Sequence, residues 1–562
     1  DVMVDSPTNN FATFNPLVQG GADVLSEGNL KSLGTSSGKS YRPSTIGVNS
    51  GKFYFEGVIT IGTAGAIGVC IEGGSTDNSM GKDDFSWAYH TGGTTRHNDV
   101  NSSYGASYTT GDIIGAAVDI DNGTIVFSKN GASQGSYSIV GFSPDTYFLG
   151  AGDSTTGSST GWVLNFGQDS SFAGAKTPQG HSDSGGIGDF HYAPPNSYLA
   201  LCTANLPSVD VIPSEHFNTV LYTGDGTTSH AVTGVGFGSA PDFVWIKERE
   251  ANGGHIAAHV LQDIVRGATN YLVSSATNAE STGVMLSLDS DGFTTNNSGA
   301  TNESGQPYVA WNWKAGGSAS SNTNGSITSS VSANPSAGFS IVSYTGTGAN
   351  ATVGHGLTLA VPEMIIAKKR ASNGSDGVRG WGVYSLPTTN AKGMILNQTN
   401  AAFTTSRYWN NTTPTASVFS LGDDQEVNFN GDTYIAYCFH SVDGYSKVGS
   451  YTGNGSADGT FVHTGFNPRF IMMKRTDSTN RWVMMDSERD NPNEAFTHLW
   501  ANISDAETAV DGDGAGYDID FLSNGFKQRN NNPSSVTDTN KSGGSYIYIA
   551  FAEYPFKHTN AR

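Results

Sequence analysis

Apolar and polar residues alternate with period two along most of this chain, in short runs of β-branched and aromatic residues bounded by Gly, Asn and Asp. That pattern predicts half-buried strands joined by tight turns. The first third contains KFYFEGVIT (52–60), AIGVCIE (66–72), DIIGAAVDI (112–120), GTIVFSKNG (123–131), YFLGAG (147–152) and WVLNFG (162–167). Asn122-Gly123 and Asn130-Gly131 supply the positive φ that two-residue hairpin loops require. One stretch, HIAAHVLQDIVRG (255–267), also fits an amphipathic helix. The corresponding places further along read WGVYSLP (381–387) and WVMMDSE (482–488), so all three are read as strands and the chain as all-β.

A phrase recurs three times: YTGDG at 222–226, YTGTG at 344–348 and YTGNG at 451–455. Each copy is followed by an apolar run ending in lysine, PDFVWIK (241–247), PEMIIAK (362–368) and PRFIMMK (468–474). Each block closes on an aromatic strand, YVAWNW (308–313), YIAYCF (434–439) or YIYIAF (546–551). A period of roughly 110 residues is too long for a solenoid unit and matches a whole small β domain. Phe243, Trp245, Met364, Ile366, Phe470 and Met472 fall on one alternating face and are expected to be buried. Tandem copies point to a rod or array that displays surfaces.

The predicted organisation is a β-sandwich over 1–172, a connector over 173–207, and three homologous β-sandwich-like domains over 208–316, 336–442 and 443–562. Residues 317–335, rich in Gly, Ser and Asn, read as a flexible spacer. The 562 residues suffice for several separate cores.

Composition narrows the functional classes. Low charge with many aromatics describes a turn-dense folded protein, not a disordered one. The net charge of −21 argues against nucleic acid and against anionic membrane surfaces as partners. No apolar run reaches the ~20 residues of a membrane span. Cys70, Cys202 and Cys438 are scattered and odd in number, so neither a disulfide framework nor a zinc site is expected. They read as small buried hydrophobes of a protein made in a reducing cytosol. Asp at position 1 suggests that the chain begins inside a longer product.

Motifs with chemical potential are sparse. GxSxG occurs at 34–38 and 157–161, but neither precedes a helix, as a nucleophile elbow must. His255 and His259 have i, i+4 spacing without the glutamate of a zinc protease motif. The pairs Glu248/Glu250 and Asp486/Glu488 could each share a strand face, as glycoside cleavage would need. Asp511, Asp513 and Asp518 have the spacing of oxygen ligands for Ca²⁺, without the terminal glutamate of an EF-hand; no other cofactor is implied. Aromatics among polar turn residues suit sugar recognition, since rings stack on apolar sugar faces while Asn, Asp and Ser bind hydroxyls. The candidates are Trp87, Tyr89, His90, Tyr408, Trp409 and Trp500.

SGKFYFEG, then GDIIGAAVDIDNGTIVFSKNG, then NFG resembles the SPRY family over roughly 1–172. The resemblance implies two antiparallel sheets that bind partners through loops and implies no catalysis. SPTNNFATFNPL (6–17) and ALCTANLP (200–207), with the YTGxG blocks, resemble tail-fibre and related appendage proteins of tailed bacteriophages. That resemblance implies a virion protein assembled in the host cytoplasm, contacting other virion proteins and binding a host glycan or surface protein. It further implies a homotrimer, without nucleic-acid or membrane insertion. Alternative readings are a structural decoration or fibre-shaft protein and a polysaccharide-degrading tailspike.

Overall fold

The computed structural model describes all residues except 1–8, 19–22, 35–40, 73–77, 140–145, 156–158, 251–256, 359, 372–378, 491–492, 508–518, 530–538 and 559–562. The chain divides into two compact units, Asp1–Ser208 and Val209–Arg562. The regular structure of both is almost wholly strand; helix is limited among the described residues to single turns such as Gln425–Asn428. Among the described residues no helix is long and apolar enough to cross a membrane.

The first unit is a sandwich of two sheets. One runs in the order Val24–Ser26, Lys31–Leu33, Gly161–Asn165, Lys52–Ile61, Ile113–Asp119, Thr124–Lys129, Ala132–Ser138. The other runs Tyr41–Val48, Tyr147–Asp153, Gly65–Ile71, Ser86–His90, Thr94–His97, Val100–Ser103. The turn after Lys129 forms as the sequence predicts, a two-residue loop with Asn130 at φ +48° and Gly131 at φ +80°, whereas the turn after Asp119 is a four-residue loop, 120–123, with positive φ at Gly123 and not at Asn122. The stretch expected to be a bare connector is instead docked: Leu199–Ala200 pairs in parallel with Phe53 and Tyr54, and Phe190 is fully buried.

In the second unit one strand order occurs three times. In the first block it is Phe217–Thr223, Pro307–Trp313, Phe243–Glu248, Val260–Asp263, Asn270–Leu272. In the second it is Phe339–Thr345, Thr433–Phe439, Met364–Ala371, Trp381–Ser385, Lys392–Ile395, and in the third Ser446–Thr452, Ser545–Pro555, Phe466–Arg475, Trp482–Asp486, Leu499–Trp500. Each block adds a small sheet, built on His230–Thr233, Ala351–Gly354 and Phe461–His463 respectively. Each main sheet is therefore covered on both faces. The predicted inward row, Phe243, Trp245, Met364, Ile366, Phe470 and Met472, is buried, and so are the alternate residues Val244, Ile246, Ile365, Ile471 and Met473 under the small sheets. This double burial explains why PDFVWIK and its counterparts are apolar runs and not alternating ones.

Two expectations are corrected. The three blocks are not strung out as a rod: their inward faces merge into one core, with Trp311, Trp313, Tyr437, Phe439, Phe470 and Phe551 in a single cluster. The tract 317–335 is not a free spacer: Ser320–Asn322 and Ser329–Asn334 form a hairpin that extends the second sheet past Phe339–Thr345. Its few apolar residues explain this, because Ile327 and Val331 are buried in the second block's outer core.

Candidate functional site

The YTGxG phrase is a folding clamp that presents an exposed turn. Tyr222, Tyr344 and Tyr451 stack on Tyr308, Tyr434 and Tyr546 at centroid distances of 5.1, 5.2 and 4.8 Å. Their hydroxyls donate to the carbonyls of Thr301, Val427 and Thr539. The next residue in each case is a buried Asn (Asn302, Asn428 or Asn540), whose Oδ1 accepts the N–H of the variable x residue: Asp225, Thr347 or Asn454. The first glycine lies against backbone, so an added Cβ would sit 2.2–2.4 Å from a carbonyl oxygen. The second glycine takes φ near +70° in all three copies, open only to glycine without strain. Thr227–Ser229, Ala349–Asn350 and Ala457–Asp458, just beyond the clamps, are exposed. Rigidly held, solvent-facing polar turns are where a scaffold carries recognition.

Between blocks the contacts follow a cycle. By register, His259, Trp381 and Trp482 occupy one position, as do Val273, Ile395 and Trp500. Trp381 Nε1 donates to the Val273 carbonyl at 2.9 Å, and Trp482 Nε1 donates to that of Ile395 at 3.1 Å. His259 Nε2 closes the ring on the Trp500 carbonyl at 2.9 Å; its Nδ1 accepts from Trp245 Nε1, which fixes the tautomer. Seven residues past each accepting carbonyl, the N–H groups of Glu280, Ala402 and Glu507 donate to the carbonyls of Arg370, Thr476 and Arg249. Where the side chains allow it, a two-bonded ion pair is added: Arg370–Glu280 and Arg249–Glu507. Each block thus holds the next, and the third holds the first.

A second interlock is buried. Asp263 accepts from Tyr437 Oη at 2.8 Å and pairs with Arg266 at 2.5 Å. Asp486 accepts from Trp311 Nε1 at 3.0 Å and pairs with Arg489 at 2.6 Å. At the third seam the same positions hold Ser385, Thr388 and Ile549, so carboxylate, guanidinium and aromatic donor are replaced together. A carboxylate facing Ile549 would be buried without a donor, which is why all three change at once.

Lys247, Lys368 and Lys474 also hold equivalent places, each fully or almost fully buried. Each Nζ donates to the carbonyl of the next residue, and Lys368 and Lys474 reach across a seam to Thr277 and Thr399. Burial pushes their amines down, to about 8 for Lys247 and about 7 for Lys368 and Lys474. An unfolded lysine keeps its proton to a higher pH, so above about pH 8 the unfolded state binds more protons and stability rises with pH. Glu56 and Asp153, both raised to about 7 mainly by burial, have the opposite sign, but their effect is complete by then. The thiols of Cys70, Cys202 and Cys438 and phenols such as Tyr437, pushed up mainly by burial, also have the opposite sign and act above pH 8, so the lysine contribution is read as a difference. The wild-type urea midpoint relative to that of Lys474→Met is expected to rise from pH 8 to 9.5. A difference that stays constant or falls over this range contradicts it.

The predicted sugar-binding rings lie elsewhere than expected. Trp87, Tyr89, His90, Tyr408, Trp409 and Trp500 are all buried, none above 7% exposed. The stretch around Trp87 is not a loop: Ser86–His90 is an interior strand, and Trp87 stacks on His97 at 4.4 Å. Tyr408 and Trp409 fill the second block's outer core beside Tyr384 and Phe403. Trp500 packs against His498, with the Arg481 guanidinium over its ring. Glu248 is buried and accepts from the Ala257 N–H, while Asp486 belongs to the seam. His255, Asp511, Asp513 and Asp518 lie outside the described residues. Among the described residues no group of three His, Cys, Asp or Glu is placed to hold a metal ion. At the centre of the ring a cavity of about 20 Å³, lined by Phe243, Ile366, Tyr437, Phe470 and Ile549 among others, is large enough only for a water-sized sphere. Its apolar walls keep it dry.

Comparison with known proteins divides the chain at the same place. Residues 212–555 match the family described as domain of unknown function DUF7483, and residues 52–148 match the SPRY domain. Over 95 residues the chain is 38% identical to ATP-dependent RNA helicase DDX1 of Xenopus laevis, covering 16% of this chain and 12% of the helicase. Over 125 residues it is 32% identical to Ran-binding protein 10 of Danio rerio, covering 20% of each chain. This chain thus spans a fifth or less of the length of these relatives. Among solved structures it is similar to the SPRY domain of human HERC1, with 20% identity, a TM-score of 0.23, and coverage of 25% of this chain and 91% of that one.

Proposed function

Because this chain belongs across residues 212–555 to the DUF7483 family and carries a SPRY domain at residues 52–148, we propose that it acts by binding: a virion appendage protein that attaches a tailed phage to its host surface. The observation that carries this reading is the threefold presentation of clamped, exposed turns after Tyr222, Tyr344 and Tyr451. Three copies of one domain, closed into a ring, offer three related turns at once. Weak sites held together gain affinity through effective concentration. The exposed residues there are Thr, Ser, Asn, Ala and Asp, which suit hydroxyl-rich ligands such as a surface glycan. The phage context rests on the resemblance of the SPTNNFATFNPL and ALCTANLP phrases, and a trimeric assembly of whole chains belongs to the same proposal.

The test is adsorption of the purified chain to host cells and to a glycan array. Thr228→Arg, Asn350→Arg and Ala457→Arg together add bulk at exposed positions without touching a clamp. The expected result is at least a tenfold loss of adsorption with an unchanged urea midpoint. Unchanged adsorption overturns the assignment to these turns. A chain that stays on the particle but binds no cell or glycan favours a decoration or shaft role, and release of reducing sugar favours a tailspike enzyme.

A further inference from the structure

The Lys52–Ile61 strand lies inside the eight-stranded sheet, and its residues alternate between two faces. Phe55 points to one face and stacks on Phe166 at 5.6 Å. On the other, Tyr54 and Glu56 are covered by a later stretch of the chain that lies beyond the SPRY match. That stretch is held by side-chain sockets. Phe190, fully buried, meets Tyr54 edge-on at 5.2 Å in a cluster with Phe11, Ala117, Ala200 and Cys202. The Glu56 carboxylate accepts the N–H groups of His191 and Tyr192, both at 2.8 Å, and the Tyr54 hydroxyl at 3.1 Å. Asn165 Nδ2 donates to the Asp189 carbonyl at 2.9 Å, and Asp189 N–H donates to the Gly167 carbonyl at 2.7 Å. Gly131 makes the seat of the Tyr192 ring, since a Cβ there would come within 2.9 Å of it.

An anchor ring in an apolar socket, a carboxylate reading two successive N–H groups and an amide reading a carbonyl are the elements that hold an extended peptide ligand. Among the described residues, 189–192 take part in no strand pairing beyond the isolated bridge of Phe190 with His181. We infer that the outer face at Tyr54, Glu56, Gly131 and Asn165 is a docking surface for an extended aromatic peptide, filled here in cis by Asp189–Tyr192 and able to take the same segment from a second copy of the chain. Glu56 supports this: it is a fully buried carboxylate whose acceptors are filled by neutral donors, with no basic side chain paired to it among the described residues. Exchange of a segment between identical chains is a route to dimers of low net cost, because every contact is reproduced.

The test uses the full chain with Phe190→Ala, which empties the socket, and a labelled peptide of residues 183–198 standing for the segment of a second copy. Anisotropy is expected to report saturable binding to the variant, at least tenfold weaker when the peptide also carries Phe190→Ala, and no binding to the wild-type chain over the same range. A folded variant that binds no peptide, or that binds both peptides alike, overturns the inference. Should the variant fail to fold, hydrogen exchange on the wild-type chain decides: the His191 and Tyr192 amides should exchange at least tenfold faster than those of Phe53–Val58. Equal protection means that the segment never leaves its seat and the surface is not open to another.

Discussion

Replacing Asp486 by alanine is expected to destabilise the second unit by about 3–5 kcal/mol, the range found when one member of a buried ion pair is removed. The side chains of Asp486 and Arg489 are fully buried, and Asp486 also receives Trp311 Nε1 from another block. The alanine would leave the Arg489 guanidinium only its longer 3.3 Å carboxylate contact, with Glu507, and would leave an indole N–H without its acceptor. Asp263→Ala should behave alike, because it takes the close carboxylate from Arg266, leaving Glu280 at 3.4 Å, and removes the acceptor of the Tyr437 hydroxyl. Ser385 holds the equivalent place at the seam where Ile549 stands in the position of the aromatic donor, and Ser385→Ala should cost less than about 1 kcal/mol. Urea unfolding followed by tryptophan fluorescence measures all three, since seven of the nine tryptophans lie in residues 209–562. Equal losses at the three positions would mean that the two charged seams carry no special load.

Trp409→Ala is expected to cost about 3–5 kcal/mol, as for other large aromatic truncations in cores. The ring is 1% exposed, meets Tyr384 edge-on at 5.7 Å and lies among Phe419, Leu421 and Val427. Ligand binding should change only in proportion to the fraction unfolded. A loss below about 1 kcal/mol with a clear fall in adsorption would restore the ring to a binding role.

Trp409 also marks where sequence reading stops. SRYWNNTT is polar on both sides, and neighbours in sequence say nothing about neighbours in space. Tyr384, which meets this ring edge-on, and Phe403, which meets the neighbouring Tyr408, lie on other strands of the block. Trp87 escapes local reading for the same reason, although alternation across SWAYH marks a strand. The strands themselves were legible, because period-two patterning and Asn-Gly turns are local signals. So was the correspondence of the three blocks, through YTGxG and the lysines. Closure into a ring was not, since it depends on which carbonyl Trp381, Trp482 and His259 reach. One clue was present: QDIVR (262–266) and MDSER (485–489) place Asp and Arg at i, i+3 in equivalent blocks, while SLPT (385–388) lacks both. The tract 317–335 misled because its Gly, Ser and Asn content outweighed Ile327 and Val331, two apolar residues that suffice to seat a hairpin on an exposed sheet edge.

Closure of the ring between its first and last blocks is the claim on which the rest depends, and a cross-link tests it directly. The Glu507 N–H donates to the Arg249 carbonyl at 2.7 Å and the two side chains meet in an ion pair, so backbone and side chains approach on the same side, as a disulfide requires. The native cysteines Cys70, Cys202 and Cys438 are all buried. Arg249→Cys with Glu507→Cys in the full chain, mildly oxidised, should give a monomer that migrates faster on a non-reducing gel and returns to normal mobility on reduction. A chain that stays uncross-linked, or that links only to other chains, would mean that the blocks are strung in a line and that the ring does not close.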